Sequence, residues 1–483
     1  MNKDKILLIY IASEKRMEEM PYGLIYVSEA LKKEGFDVRL IDNVIEQKTE
    51  EQLLQDVFHE EPRVVGYGGI TAGYAFVKRL SKKIKAQFPS IVQIAGGVLA
   101  STEDLLLSNT AIDVVCRGEG ERVAPRLLKS LQEGVSYEML SGISFRCEDG
   151  SIKKNKYEPV VEDIDTIPFP DVAAYNFEAY VHESSPEGKY MRWFVKDQRI
   201  NDIPVEKRRI FNIKTSRGCT GVCSFCYKHI GGEYRRHSPQ YVVDVIDFLY
   251  NRHDIGLFVF ADSLFVFDEA WIGEFEKRVL EKNIKILFRI NGARVDGVSE
   301  ELLWILKRCG CVFINFGFES GSQKILDVIR KQIHVEQNYE VIRLIKKVGM
   351  MSYPYFIFGM PGEDKQTLKE TIDLIVEWGG AFAHSIATAF PKTWLYRYAK
   401  ENKMIVNDEF YITSLEDIPV HLNFTKFRNY FIQILPAYVI NRVRRKKVFN
   451  EKRYVSAFWL DVKLGVLHLY GVVRYSFSFS GKR

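Results

Sequence analysis

The chain has 483 residues, is 46% hydrophobic and 27% charged, and carries a net charge of +5, an ordinary globular composition long enough for two to four domains. Its seven cysteines fit a reducing compartment with metal chemistry rather than a disulfide framework. No apolar run reaches the length of a bilayer-spanning helix and nothing resembles a nucleic-acid module, so the cytoplasm is the expected location.

In chain order, the charged start followed by Lys5-Ile-Leu-Leu-Ile-Tyr10 reads as a first buried strand rather than a signal peptide. Helical spacing follows over 21–33, where Leu24, Val27, Ala30 and Leu31 share a face and Gly35 ends the element. A strand over 37–42, helix over 51–59, strand over 64–67, helix over 76–88, strand over 91–95 and short strand over 114–116 complete an alternation that predicts a Rossmann-like, doubly wound parallel sheet over 1–145. Ligands of such sheets sit beyond the carboxyl ends of the strands. Those ends read Gly66-Tyr-Gly-Gly-Ile-Thr71, Ala95-Gly-Gly-Val-Leu-Ala-Ser101 and Arg117-Gly-Glu-Gly-Glu121, with glycines where backbone must approach a bulky ligand. Neither a dinucleotide fingerprint nor a Walker A loop is present.

Residues 146–205, with Pro168, Pro170 and Pro186 and weak periodicity, read as an irregular linker. The strand near 209–216 then feeds Arg217-Gly-Cys-Thr-Gly-Val-Cys-Ser-Phe-Cys-Tyr227. Three thiolates on one glycine-flanked loop, Cys219, Cys223 and Cys226, can hold three corners of a cubane iron–sulfur cluster and leave one iron open. A zinc site completed by His229 or His237, or three ordinary buried thiols, fit the same spacing. Cys116, Cys147, Cys309 and Cys311 are scattered and read as small buried residues. Ser238-Pro-Gln starts a helix with the stripe Val242, Ile246 and Leu249. Strands over 257–260, 284–290, 312–316, 352–358 and 384–389, separated by helices, predict a partial (βα)6 TIM-type barrel over 206–400. The tail over 401–483 is basic: from His421 onward, 13 Lys/Arg face only Glu451 and Asp461. There Tyr430-Phe-Ile-Gln-Ile-Leu-Pro-Ala-Tyr-Val-Ile440 precedes Arg442-Val-Arg-Arg-Lys-Lys447. That pairing suits peripheral contact with an anionic membrane, an acidic substrate, or a packed helix with a solvated basic face.

With Phe225 before its last cysteine, the triplet resembles the signature of the radical S-adenosylmethionine (SAM) superfamily. The N-terminal loops resemble the cobalamin-binding domain that precedes the barrel in one branch of it. That resemblance implies a [4Fe–4S] cluster, SAM and cobalamin as cofactors, and Gly69, Thr71, Gly96, Gly97, Val98 and Glu119 as cobalamin contacts. The motif Asp-x-His-x-x-Gly is absent, so no histidine in that motif would reach the lower cobalt face. In the barrel, the resemblance gives Asp262 to the SAM amino group; after the third strand come Arg289, Asn291 and Arg294, where an arginine at a strand end suits a carboxylate fork. Asn315-Phe-Gly-Phe-Glu-Ser-Gly-Ser322 resembles the branch's Gly-x-Glu-Ser-Gly-Ser element, with Glu319 and Ser320 toward SAM, and Gly359 and Gly362 would pass beside the adenine. Gly231-Gly-Glu233 looks like an amino-binding triplet but follows the cysteines directly and reads as a decoy. Phe390-Pro-Lys-Thr-Trp394 resembles a Pro-Gly-Thr element in which Lys392 replaces the glycine, a departure at the turn. The implied activity is radical C-methylation of a small-molecule or amphipathic substrate, with flavodoxin or ferredoxin as electron donor. A ring-forming, rearranging or oxidative enzyme of the same architecture, and a non-catalytic metal-bound binding protein, are the alternatives.

Overall fold

The structure, a computed structural model, describes residues 5–11, 19–181, 191–228, 233–415 and 422–451. Strand β1 (Lys5–Ile11) is apolar from Ile6 to Ile9, so both of its faces need cover. It lies between β2 (Asp37–Asp42) and β3 (Val64–Gly69), parallel to both. Strands β4 (Val92–Ala95) and β5 (Val114–Cys116) continue the parallel sheet; β6 (Ile143–Arg146) and β7 (Ile152–Lys154) finish it antiparallel, in the order β2-β1-β3-β4-β5-β6-β7. Leu7, Ile9 and Ile11 pack with helices Glu50–Glu60 and Tyr74–Gln87 on one face. Ile6 and Leu8 pack with helices Tyr22–Lys33 and Gly120–Glu133 on the other. The antiparallel edge was not read from the sequence, and β7 falls within the stretch taken for a linker.

The helix Tyr22–Lys33 differs from its sequence stripe. It buries Tyr22, Ile25, Ser28 and Leu31, while Leu24 and Val27 are only half-buried and line a cavity. The helix lies between the two halves of the molecule, so both of its sides make apolar contacts.

The second sheet is parallel throughout. Its strands are β8 (Arg209–Ile213), β11 (Ile255–Phe260), β12 (Leu287–Ala293), β13 (Cys311–Glu319), β15 (Tyr355–Phe358) and β16 (Ala383–Ile386), in the order β16-β15-β13-β12-β11-β8, with the short β14 (Met351–Ser352) beside β13. Between β8 and β11 a two-residue antiparallel ribbon, β9 (Ser216–Arg217) and β10 (Arg235–Arg236), brackets the cysteine loop. The strand read over 352–358 is split, because Pro354 carries no N–H for the ladder. Val259, Leu287 and Phe313 face inward onto Met191, Phe194, Ile200 and Ile203, so the linker region also fills the barrel interior.

The apolar stretch of the tail is already packed. Ile432, Leu435, Val439 and Val443 on the helix Asn429–Glu451 are buried in the core shared with the helix Lys365–Trp378, and Lys446 pairs with Asp373. This is the packed helix among the three readings, and it leaves that apolar side unavailable to a membrane surface. The rest of the basic tail lies outside the described residues. Among the described residues, no helix is long and apolar enough to cross a membrane.

Candidate active site

The cysteine loop is held at its neck. Gly218 has φ +80°, and a Cβ there would stand 2.0 Å from the Glu233 carbonyl oxygen, so only glycine lets the ribbon close. The Gly221 N–H donates to Cys219 Sγ at 3.3 Å. A Cβ on Gly221 would meet the sulfurs of Cys219 and Cys223 at 3.4 and 3.6 Å and Arg294 Nη1 at 3.3 Å. Both sulfurs therefore converge beside one glycine, with a buried guanidinium next to them. Ser224 anchors the loop: its N–H donates to the Ile329 carbonyl at 2.7 Å and its carbonyl accepts from the Leu395 N–H at 3.0 Å. Phe225 is half-buried on the core that contains Ile329 and Leu395. Burial pushes the Cys223 thiol up, while Lys331 and Arg294 pull against it; a bound metal's charge would favour the thiolate outright.

The three cysteines line a cavity of about 440 Å³ between the two sheets. Its opposite wall is made of strand ends from the first sheet, including Gly66–Ile70, Gly96, Gly97, Val98 and Gly118–Glu121. Cβ atoms on Gly66, Gly69 and Gly120 would lie 2.6 Å from Leu8 Cδ2, 1.9 Å from the Ile11 carbonyl oxygen and 2.7 Å from Val27 Cγ2. The chain's own packing therefore requires glycine at these positions, and the result is a wall of bare backbone with room beside it for a bulky cofactor. Gly69, Gly96, Gly97, Val98 and Glu119 are thus at the cavity, but two expectations need correction. Thr71 is not on the lining; its buried hydroxyl pairs with Ser101 Oγ at 3.0 Å. The Glu119 carboxylate is already engaged, accepting from Arg217 Nη1 at 3.0 Å, Arg235 Nη1 at 2.9 Å and the Val161 N–H at 2.6 Å.

At the mouth of the barrel, Arg289, Asn291 and Asn315 form a ladder. Arg289 Nη2 donates to Asn291 Oδ1 at 2.9 Å and Asn315 Nδ2 donates to the same oxygen at 3.0 Å. Among the described residues, Asn315 Oδ1 is buried and has no hydrogen-bond partner. Arg294 is fixed by Asp296 at 2.7 Å and the Lys331 carbonyl at 2.7 Å. Glu319, at φ +61°, pairs with Lys331 Nζ at 2.9 Å. Gly359 has φ +86° and donates its N–H to Glu363 Oε2 at 2.8 Å.

Asp262 and Ser320 do not fill their expected roles. Asp262 is buried, and its two oxygens accept from the N–H groups of Thr215 and Ser216 at 2.7 and 2.9 Å and from Thr215 Oγ1 at 2.5 Å. It ties β11 to the chain entering the cysteine loop instead of waiting for an amino group. Ser320 is buried against Thr371 Oγ1 at 3.0 Å and accepts from the Ser322 N–H at 3.1 Å.

Sequence reasoning missed Arg217, which lines the cavity, pairs with Glu119 and Glu121 and lies over the Tyr26 ring at 4.9 Å. Its place directly before the cysteine loop was the available signal. His237, the zinc alternative, turns Nδ1 to Asp165 at 2.8 Å and stacks on Tyr241; His229 and Gly231 lie outside the described residues. Among the described residues, no three His, Cys, Asp or Glu side chains are grouped to hold a single metal ion. The chemistry of the donor set, three thiols along one cavity wall beside Arg294, fits a polynuclear cluster.

The chain is similar to known proteins in both of its halves. The family model of the radical SAM superfamily matches residues 213–375, and that of the B12 binding domain matches residues 11–128. The anaerobic magnesium-protoporphyrin IX monomethyl ester cyclase of Rubrivivax gelatinosus is 28% identical over 386 residues, covering 78% of this chain and 66% of that protein, so part of the relative has no counterpart here. The cytidylyl-2-hydroxyethylphosphonate methyltransferase of Streptomyces wedmorensis is 26% identical over 417 residues, 76% of this chain and 75% of its own. The fold is shared with the radical SAM methyltransferase TsrM from Kitasatospora setae, solved with cobalamin and a [4Fe–4S] cluster, at TM-score 0.63 and 19% identity over 83% of this chain and 75% of that one.

Proposed function

We propose that this chain, which belongs to the radical SAM superfamily and carries a B12-binding domain ahead of its barrel, is a cobalamin-dependent methyltransferase acting on an unactivated carbon. The observation that carries the reading is the shared cavity, with bare glycine backbone on one wall and Cys219, Cys223 and Cys226 on another. When bound, the cluster, SAM and cobalamin supply reductive cleavage of SAM, hydrogen abstraction and the methyl donor.

The chain's own residues bind, orient and exclude. Cys219, Cys223 and Cys226, free thiols on one cavity wall, would hold the cluster. The Arg289–Asn291–Asn315 ladder and the Glu319–Lys331 pair offer fixed donors and acceptors to SAM's polar groups. Gly359 and Gly362, both in the left-handed region, would let backbone pass close to an adenine. Leu24, Val27, Ile70 and Val98 give the cavity an apolar lining that keeps water from a reactive radical. Cys226 lines the same cavity as the other two cysteines, and a flavodoxin or ferredoxin is the electron donor this reading requires. Seven free thiols among the described residues suit a reducing cytoplasm. The substrate is a small molecule; an amphipathic one loses its support from the packed tail helix.

The similarity to the cyclase favours a second reading, ring formation on the same scaffold. Anaerobically reconstituted protein, supplied with cobalamin, SAM, reductant and panels of candidate substrates, separates the readings. 5′-Deoxyadenosine together with S-adenosylhomocysteine is the expected result. 5′-Deoxyadenosine with an unmethylated, cyclised product supports the second reading. Neither product from protein with an intact cluster spectrum overturns both.

A further inference from the structure

Lys392 stands in the left-handed region at φ +66°, a conformation that disfavours any residue with a Cβ. The turn itself is intact. The Thr393 N–H and Oγ1 both donate to the Phe390 carbonyl, at 3.2 and 2.7 Å, and Thr393 Oγ1 caps the helix Trp394–Glu401 by accepting from the Tyr396 N–H at 3.1 Å. Glycine would make the same turn without strain, so a reason for lysine has to lie in its side chain.

Its Nζ reaches across to the first domain, donating to Glu103 Oε1 at 2.7 Å and to the Ala100 carbonyl at 3.3 Å. Glu103 is 3% exposed. It also accepts from Ser144 Oγ at 2.9 Å and lies 3.3 Å from Lys154 Nζ and 3.6 Å from Arg117 Nε. Burial alone would push its carboxyl up; Lys392 and Lys154 hold it below the usual carboxylate range. Ala100 and Glu103 continue the short helical segment Gly97–Thr102, whose Gly97 and Val98 line the cavity. On its other side, three residues beyond Lys392, the Leu395 N–H donates to the Ser224 carbonyl between Cys223 and Phe225. One short stretch, 392–395, therefore grips the wall expected to carry cobalamin by a side chain and the cysteine loop by its backbone.

We propose that Lys392 is a positioning residue that sets the cobalamin-lining segment 97–103 in register with the cysteine loop, acting through Glu103 and Ala100. The inference rests on the cobalamin reading above. Hydroxocobalamin binding to the full chain, followed by visible absorbance, tests it alongside iron content and Tm. Lys392→Gly keeps the turn and removes the link: the cluster loads as in wild type, Tm moves little, and the cobalamin Kd rises five- to tenfold. Lys392→Arg restores binding to within about twofold. Glu103→Gln weakens binding similarly, and the double variant adds little, because both changes remove one interaction. A Lys392→Gly protein that binds cobalamin with the wild-type Kd overturns the inference alone. Wild-type protein that takes up no cobalamin overturns the parent reading and the inference with it.

Discussion

Cys223 feels burial from one side and two buried cations, Lys331 and Arg294, from the other. Burial is the larger influence and raises the thiol, so it is the spacing of the three cysteines that carries the ligand assignment. Cys223→Ala is expected to abolish 5′-deoxyadenosine formation and to lower iron per chain, read by iron assay and by product quantification; SAM cleavage retained in that variant contradicts the ligand assignment. Glu363 presents a different residue-scale effect. Burial pushes its carboxyl up to about 8, against one hydrogen bond from the Gly359 N–H. Its folded pKa lies above the unfolded one, so its contribution to stability is fully present below the ordinary glutamate range and is lost as pH rises toward 8. Glu363→Gln should therefore raise stability at pH 8 by roughly 2–4 kcal/mol and leave it nearly unchanged at pH 4, which thermal unfolding at the two pH values checks. At this scale the sequence shows which residue types cluster, but not their partners. The cysteines were legible because their chemistry is carried by spacing. Asp262 and Ser320 were misread because strand-end position does not reveal that Thr215, Ser216, Thr371 and Ser322 already occupy them.

Among the elements, the two-residue ribbon β9–β10 is the smallest and the one on which the cysteine loop hangs. Gly218→Ala adds a Cβ that has no room beside the Glu233 carbonyl and demands an unfavourable φ. At least a twofold loss of iron per chain is expected, with Tm lowered by only a few degrees because the strands of both sheets are untouched; full iron loading would show that the ribbon can open without consequence. Strands and helices of both sheets were readable from period and caps, as with Ser238 accepting from the Tyr241 N–H at 3.1 Å to start its helix. What was not readable were elements whose burial depends on distant partners. β7 lies in a charged, weakly periodic stretch and is recruited by β6. The segment from Met191 to Ile203 looks irregular because it is shaped to the barrel interior, not to a period of its own. The tail helix showed its apolar stretch but not the helix Lys365–Trp378 that covers it.

For the whole molecule, Glu119 joins the halves. Arg217 and Arg235 are cross-strand partners in the ribbon, and both donate to one carboxylate oxygen of the first domain. Glu119→Ala leaves Arg235 buried with its carboxylate partner gone and should cost about 3–5 kcal/mol, together with iron and cobalamin occupancy; a variant that loses neither would mean the halves are held elsewhere. Two domains in series were legible from alternating strands and helices, and the cavity's position at the strand ends follows from that topology. The docking of one half on the other was not legible, since nothing in either half's periodicity names an arginine pair as the mate of Glu119. That grip also has a consequence in time. The first domain leaves the ribosome before the ribbon exists, so the carboxylate is waiting when the two arginines emerge. The bracket of the cysteine loop is thereby tied to a carboxylate about a hundred residues earlier in the chain, so the loop's neck is fixed by the first half as well as by its own two strands.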